Sequence, residues 1–248
     1  MSTIRLKDIA TTAPKGFKKE AVKKKTEAIL NDLNELQNLL YAEAKNSLLI
    51  VIQGMDAAGK DGLTRDVFTS MNPQGVNVKP FKEPTLEELS HDFLWRIHKD
   101  APAKGMIQVF NRSHYEDVLV TRVHGMTDDK TAYKRMEVIN DFEKLLTEHN
   151  NTTILKFYLH VSHEEQLKRL EARIDDPRKM WKYNVKDFEE SKLWDRYRKY
   201  YEEVFHHCNH VPWHIIPADQ NWYKSYLVAQ EIQKTLKDFK MRYPGMKK

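Results

Sequence analysis

Cysteine and long hydrophobic runs are what this sequence has least of. The 248-residue chain contains a single cysteine, Cys208, which excludes an internal disulfide framework and favours a reducing compartment. No hydrophobic run approaches the length of a membrane span, and the N-terminal lysines are not followed by an apolar segment. We therefore expect a cytoplasmic protein that neither crosses nor binds a membrane.

Charge is mixed, with a modest positive excess. The 41 Lys and Arg residues outnumber the 36 Asp and Glu residues, which gives a formal net charge of +5 and tilts the surface toward anionic partners. With 40% hydrophobic residues the chain is able to bury a sizeable core. We predict one domain over residues 1–248, with an N-terminal arm and helix over 1–45 and a lid over about 163–190.

The most informative stretch is an apolar run that leads into a glycine-flanked loop. Leu48 to Ile52 lacks polar alternation, which is typical of a strand buried on both faces. Gly54, Gly59 and Lys60 then follow the G-x-x-x-x-G-K spacing, in which peptide N–H groups and the lysine surround phosphate oxygens at a helix N-terminus. The predicted phosphate-binding residues of this loop are Gly54, Ala57, Ala58, Gly59, Lys60, Asp61 and Gly62.

Two carboxylates within this loop are unusual for an anion site. Asp61 stands where a Ser or Thr hydroxyl normally reaches magnesium, and Asp56 lies inside the loop itself. Carboxylates beside phosphate make sense where a hard cation bridges them, so we predict Mg²⁺, with Mn²⁺ as an alternative, and Asp56 as one ligand. The competing interpretation is a glycine turn at a strand end in some other α/β protein.

The remaining hydrophobic periodicity predicts alternating strands and helices. Apolar positions that recur every three or four residues indicate helices, and short apolar runs bounded by turn residues indicate buried strands. This pattern favours a five-stranded parallel sheet covered by helices. The predicted strands are 48–52, 76–81, 106–110, 154–160 and 213–217, and the predicted helices are 18–44, 63–71, 85–99, 131–150, 163–174 and 222–239.

A second chemical centre follows the third predicted strand. Arg112 can clamp a phosphoryl group just beyond a central strand, or it can form an ion pair with Glu116. Many phosphate-loop enzymes place a metal-binding aspartate where this chain has Asn111. The carboxylates Glu116 and Asp117 follow Ser113 by about one helical turn, so either can point back toward the strand end. For Asp117 the alternative is an ordinary carboxylate on a helix surface.

Basic residues elsewhere are candidates for contact with a long polyanion. Arg173, Arg178 and Lys182 flank a proline-interrupted segment that resembles the lids of nucleotide kinases, although an exposed basic loop is the alternative. Lys82 and Arg122 lie outside the loop and are further candidates for tracking a polymer of phosphates.

The cluster from His206 to His210 is spaced too closely to enclose one tetrahedral metal ion.

With both centres in view, the chain resembles the polyphosphate kinase 2 family. The loop from Gly54 to Gly62 reads Gly-Met-Asp-Ala-Ala-Gly-Lys-Asp-Gly, and the second motif from Phe110 to Tyr115 reads Phe-Asn-Arg-Ser-His-Tyr. The resemblance implies a three-layer P-loop kinase sandwich of the thymidylate-kinase kind with a helical lid. It also implies reversible, Mg²⁺-dependent phosphoryl transfer from inorganic polyphosphate to a nucleotide, in a homodimer or homotetramer.

The resemblance assigns roles to individual residues. Asp56 and Lys60 would be the metal and phosphate groups of the loop, and Arg112 the phosphate clamp. With Asn111 at its start, the Asn-Arg-Ser-His-Tyr-Glu-Asp motif resembles that of the subgroup that accepts AMP as well as ADP. We hypothesise that Asn111 relieves repulsion toward an acceptor phosphate while Glu116 or Asp117 holds the metal. The predicted catalytic residues are Asp56, Lys60, Arg112 and Asp117. The predicted nucleotide contacts are Asn111, Ser113 and Glu116, and the predicted lid contacts include Arg173 and Lys182.

Two other functions remain open on the sequence. An ATP-dependent nucleoside monophosphate kinase would need the same loop and lid. A protein that only binds nucleic acid or another polyanion is suggested by the basic charge, but the loop carboxylates would repel such a ligand in the absence of metal. We therefore expect polyphosphate and adenine nucleotides as partners, with guanine nucleotides as an alternative base class, and no nucleic acid.

Overall fold

The computed structural model describes residues 4–246 and places five parallel strands in a single sheet. The strands are β1 (Ser47–Gly54), β2 (Val76–Pro80), β3 (Ile107–Asn111), β4 (Thr152–His160) and β5 (Trp213–Pro217). Their order across the sheet is β2-β3-β1-β4-β5, and every neighbouring pair is parallel. The predicted α/β class, with a five-stranded parallel sheet, is confirmed.

Helices connect the strands and cover both faces of the sheet. They are α1 (Lys19–Glu43), α2 (Lys60–Phe68), α3 (Leu86–Leu89), α4 (Trp95–His98), α5 (Val120–Val123), α6 (Asp129–His149), α7 (His163–Asp175), α8 (Val185–Ser191), α9 (Trp194–His207) and α10 (Asn221–Asp238). Short 3₁₀ turns occupy Leu6–Asp8, His114–Val118 and Met180–Lys182. Within residues 4–246, no helix combines the length and apolar character needed to cross a bilayer.

The central strand is buried on both faces, which gives the fold three layers. Leu48, Ile50 and Ile52 pack with side chains of α1, α2 and α10 on one face. Leu49 and Val51 point to the other face and pack with side chains of α6 and α9. Successive side chains of a strand alternate between faces, so a continuous apolar run fits only where both faces are covered.

The helix predicted over 85–99 is wrong in its extent. Thr85 forms a capping box with Glu88 at the start of this segment, in which the Thr85 hydroxyl accepts from the Glu88 N–H at 3.2 Å. The helix nevertheless ends after one turn, and the Asp92 carboxylate accepts from the Leu94 N–H at 2.9 Å, which starts a separate turn. Local side-chain bonds of this kind compete with a continuous helix.

The sheet order brings the two predicted centres together. β1 lies between β3 and β4, so the loop after β1 and the chain after β3 emerge side by side at the carboxyl edge. Ligands of open parallel sheets bind at such an edge, where the connections on either side of one strand diverge. The segment from α7 to α8 contributes further basic side chains at this edge.

Candidate active site

The loop after β1 is shaped by residues in unusual backbone conformations. Gly54, Ala57 and Gly59 have φ angles of +155°, +58° and +90°, and α2 begins directly afterwards at Lys60. At Gly54 the chain also passes closely over β4, because a Cβ there would lie 3.0 Å from the Leu159 carbonyl oxygen. Glycine therefore fits at positions 54 and 59 for both conformational and steric reasons.

The loop lysine turns back into the loop. Lys60 Nζ donates to the carbonyl oxygens of Gly54 at 2.7 Å and Met55 at 3.1 Å. Burial, with the positive charge of Arg112 as a second cause, lowers the pKa of Lys60 to about 8. An anion in this loop would favour the charged form, so the lysine is suited to a phosphate group.

Arg112 links the loop to the end of β3. Its backbone is left-handed, with a φ of +64°, and its N–H donates to the Ile52 carbonyl at 3.0 Å. The guanidinium donates to Asp56 Oδ1 at 2.9 Å and lies 3.9 Å from Glu116 Oε2. The alternative of an ion pair is therefore present, and the guanidinium also lines two open pockets, so the phosphate clamp stays a prediction.

A cation-rich pocket lies on one side of the Asp56–Arg112 pair, and we call it the cationic pocket. It has a volume of about 470 Å³ and is lined by seven Lys or Arg side chains and three Asp or Glu side chains. Its basic residues are Lys60, Arg112, Lys168, Arg169, Arg173, Lys179 and Lys182. The predicted residues Ala57, Gly59, Asp61, Gly62 and Asn111 line the same pocket.

A second pocket lies on the other side of the pair, and we call it the aromatic pocket. It has a volume of about 320 Å³ and is lined by Trp194, Tyr197 and Tyr201 together with Gly54 and Met55. Its charged residues besides Asp56 and Arg112 are Glu83, Glu116, Lys186 and Glu190. Asp56 and Arg112 line both pockets, so groups bound in the two would meet at this pair.

Asp61 links the segment predicted as a lid to the loop. Lys182 Nζ donates to Asp61 Oδ2 at 2.7 Å, and the Asn111 amide donates to Asp61 Oδ1 at 2.9 Å. Although burial opposes the shift, these two hydrogen bonds hold the pKa of Asp61 below its ordinary value. Arg173 is paired with Asp187 within the same segment. The aspartate that stands in place of the usual hydroxyl therefore accepts hydrogen bonds from Asn111 and from Lys182 of that segment.

Arg122 lies away from both pockets, contrary to the prediction that it tracks a polymer. Its side chain is 1% exposed, and the guanidinium donates to Asp129 at 2.8 Å and Glu203 at 2.7 Å. It also lies 4.0 Å from the centre of the Tyr200 ring. A guanidinium buried between an aromatic ring and two carboxylates holds α5 to α6 and α9.

Ser113 is also a structural residue, which corrects its predicted contact with a nucleotide. It is fully buried, and its hydroxyl accepts from the Gln53 amide at 3.0 Å and from the Tyr115 N–H at 3.2 Å. These bonds hold the turn after β3 against the end of β1. Lys82 and Arg178 line neither of the two pockets in the described residues, and Arg178 is paired with Asp176 at 3.1 Å.

Asp117 does not fit the predicted metal site. Its carboxylate lies 3.7 Å from the Arg96 guanidinium and contributes to neither the cationic nor the aromatic pocket among the described residues. Burial raises the pKa of Asp117 to about 6, although Arg96 and Arg135 oppose the shift. Across residues 4–246, no group of three or more His, Cys, Asp or Glu side chains is arranged to hold a metal ion.

Several residues in or beside the two pockets were not predicted from the sequence. Glu83, Lys186 and Glu190 line the aromatic pocket from three separate segments, and no motif marks them. Lys224, at the start of α10, lies directly behind the phosphate loop, where a Cβ on Gly59 would approach its Nζ to 2.4 Å. Its position in the first turn of a helix after β5, at the ligand edge, was the available signal.

The fold and the site together define a P-loop kinase, with a glycine-flanked loop after the central strand, an arginine at the end of the neighbouring strand and a basic segment beside them. A family model described as Polyphosphate kinase 2 (PPK2) matches residues 16–244, so the chain belongs to this kinase family. A relative from Meiothermus ruber, named AMP/ADP-polyphosphate phosphotransferase, is 46% identical over 237 residues, which cover 94% of this chain and 88% of the relative.

Other comparisons agree with this assignment. A relative from Rhodopseudomonas palustris, named ADP-polyphosphate phosphotransferase, is 44% identical over 226 residues, or 86% of this chain and 78% of the relative. The crystal structure of polyphosphate kinase 2 from Arthrobacter aurescens is 42% identical and matches with a TM-score of 0.96, covering 100% of this chain and 90% of that one. The family resemblance recognised from the two motifs is confirmed.

Proposed function

We propose that the protein transfers a phosphoryl group reversibly between inorganic polyphosphate and AMP or ADP. The observation that supports this best is the presence of two unlike pockets on either side of Asp56 and Arg112. A polyphosphate donor has no base or sugar, so charged side chains are sufficient to bind it. Within the described residues no aromatic side chain lines the cationic pocket. A nucleotide also offers a ring to pack, which suits Trp194, Tyr197 and Tyr201 in the aromatic pocket.

The proposed reaction needs no covalent enzyme intermediate. A terminal phosphate oxygen of the nucleotide attacks the last phosphorus of the polymer, and the bond from that phosphorus to the next bridging oxygen breaks in line. Lys60 and Arg112 face the reacting groups and stabilise the charge on the transferred phosphoryl oxygens. Arg173 and Lys182 of the lid would hold the next phosphates of the donor and exclude water.

We propose for Asn111 a role different from the one hypothesised from sequence. It lines the cationic pocket and donates to Asp61, so its neutrality prevents repulsion between two carboxylates beside the donor. We propose that Asn111→Asp raises the KM for polyphosphate more than the KM for AMP. The opposite ratio would restore the hypothesis that Asn111 faces the acceptor phosphate.

We also propose that the reaction requires Mg²⁺, with Asp56 as its protein ligand. Mg²⁺ is usually bound through one or two carboxylates plus substrate phosphates and waters, and Asp56 is 31% exposed between the two pockets. Glu116 lines the aromatic pocket and is the second carboxylate within reach of Arg112. The ion would supply neutralisation of phosphate charge, as it does in other phosphoryl transfers.

We also propose that the protein forms a homodimer or homotetramer and is located in the cytoplasm. In support of assembly, Leu86 and Leu89 of α3 are 88% and 65% exposed, which gives a second copy apolar surface to cover. Light scattering on the purified chain measures the oligomer size, and a monomer at micromolar concentration would contradict this part.

The activity is tested by nucleotide formation in the presence of Mg²⁺. Purified protein is incubated with AMP or ADP, and with either long-chain polyphosphate or ATP as donor, and the products are separated by HPLC. We expect product with polyphosphate, and its loss in Lys60→Ala. Turnover with ATP alone would identify an ordinary nucleoside monophosphate kinase, and turnover with ADP but not AMP would remove AMP from the acceptors.

A further inference from the structure

A buried lysine lies against the back of the phosphate loop. Lys224 is 0% exposed, and its Nζ donates to the carbonyl oxygens of Gly59 at 3.0 Å and Ala58 at 3.3 Å. It also donates to the Asn221 side-chain oxygen at 2.9 Å, so three acceptors match the three protons of an ammonium group. Burial and the nearby Arg169 lower the pKa of Lys224 to about 7, and an anion in the loop would favour its charged form.

Arg169 of α7 contacts the same side of the loop. Its Nη1 donates to the carbonyl oxygens of Ala57 at 3.1 Å and Ala58 at 3.2 Å. Its Nη2 donates to the carbonyls of Ala218 and Asp219, both at 2.8 Å, which follow β5. Two cations from separate helices thus hold three consecutive loop carbonyls.

Because the peptide bond is planar, a hydrogen bond to a loop carbonyl also fixes the direction of the N–H group that follows it. In a trans peptide the C=O and the following N–H point in opposite directions. Because Lys224 holds the carbonyls of Ala58 and Gly59, the N–H groups of Gly59 and Lys60 point away from Lys224. Gly59 and Lys60 line the cationic pocket, so these donors are directed toward a phosphate bound there.

We propose that Lys224, together with Arg169, is a positioning residue that orients the phosphate loop for the terminal phosphate of the polyphosphate donor. The inference rests on the proposed function and adds a residue that carries no part of the loop motif. Lys224 acts through the backbone and touches neither substrate. Its loss should therefore weaken the use of the donor and spare the aromatic pocket, where we place the nucleotide.

The geometry makes Lys224→Met an informative variant. Methionine has a similar length but donates no hydrogen bond, and the two carbonyls keep other partners. Ala58 O still accepts from Arg169, and Gly59 O still accepts from the Leu63 N–H at 3.0 Å. Because no loop carbonyl is left without a partner, the variant is expected to fold, with a melting temperature close to that of the wild type.

The test compares the KM for polyphosphate with the KM for the nucleotide. Loss of a hydrogen bond from a charged donor typically changes an equilibrium by about tenfold or more, so we expect Lys224→Met to raise the KM for polyphosphate by at least that factor. The KM for AMP or ADP should stay within about twofold, since an interaction in the other pocket is not removed. Lys224→Gln, which keeps a donor, should recover part of the loss.

Matched measurements separate the possible outcomes. Lys234→Met, an exposed lysine on the same helix, should behave as the wild type and controls for the loss of one charge. Equal changes in both KM values, or no change in either, would overturn the positioning role. If Lys224→Met does not fold, the two KM values of Lys224→Gln are compared instead, and they decide whether Lys224 has the positioning role. Absence of polyphosphate-dependent turnover in the wild type would instead reject the proposed function itself.

Discussion

The left-handed backbone of Arg112 allows both its strain and the proposed role of its side chain as a phosphate clamp to be tested. A residue other than glycine at a φ of +64° carries strain of about 1–2 kcal/mol. Both Arg112→Gly and Arg112→Ala remove the guanidinium and its bond to Asp56, so that loss cancels between the two variants. Only glycine relieves the strain, at the expense of about 0.5–1 kcal/mol of extra entropy in the unfolded chain.

The two variants should therefore differ in stability and agree in activity. We expect Arg112→Gly to be more stable than Arg112→Ala by about 0.5–1 kcal/mol, which corresponds to a melting temperature higher by roughly 1–4 °C for a chain of this size. Both should lose activity by about 100-fold or more, because one preorganised donor to the transferred phosphoryl group is gone.

Urea denaturation at pH 7 and the HPLC assay measure these two quantities on the same preparations. Arg112→Lys serves as the control, since it retains a charge and the strained backbone. Equal stability of the glycine and alanine variants would refute the strain argument. Turnover within about tenfold of the wild type in either variant would refute the role of Arg112 as the clamp.

Three further changes test other parts of the site. For Lys60, whose pKa is lowered to about 8, the unfolded chain holds a proton that the folded chain has lost between about pH 8 and 10.5, so the free energy of unfolding should rise with pH in that window. A denaturation series on Lys60→Met should show a smaller rise, because Lys224, with a pKa lowered to about 7, still contributes, and an equal rise in the variant would refute the effect of Lys60. Asp117→Asn should retain Mg²⁺-dependent turnover, measured by titration of the metal, and a collapse of turnover with an unchanged melting temperature would return Asp117 to the metal site. Arg122→Ala should lower stability by about 3 kcal/mol in urea without changing the KM for polyphosphate, because it leaves Glu203 without its closest partner, and a selective rise in that KM would restore Arg122 as a polymer contact.

The phosphate loop was predictable because its signal is local. A run of apolar residues, two glycines at fixed spacing and one lysine determine a strand, a turn and a helix start within fourteen residues, from Leu48 to Asp61. Strands β1, β3 and β4 could be predicted for the same reason, since burial on both faces leaves mainly apolar runs. The helix over 85–99 could not, because side-chain bonds at Asp92 outweighed the periodic pattern.

Residue roles away from the loop depended on contacts that no local pattern contains. Arg122 and Arg173 were both predicted to contact phosphate groups, yet Arg122 is buried behind Tyr200 and Arg173 lines the cationic pocket. The difference arises from which helix packs over each side chain. Ser113 likewise follows Arg112, which lines both pockets, by one position and is itself fully buried.

From the sequence alone, the class of fold and the family were determined, because each rests on residues close together in the chain. The tertiary structure alone decided which charges meet. Asp61 and Lys182 are separated by 121 positions, and Lys224 lies 165 positions from Gly59. Strand order and helix packing set such distances, and they also decide which charged groups lose water. The same lysine can therefore be a solvated surface charge or a buried support of the phosphate loop.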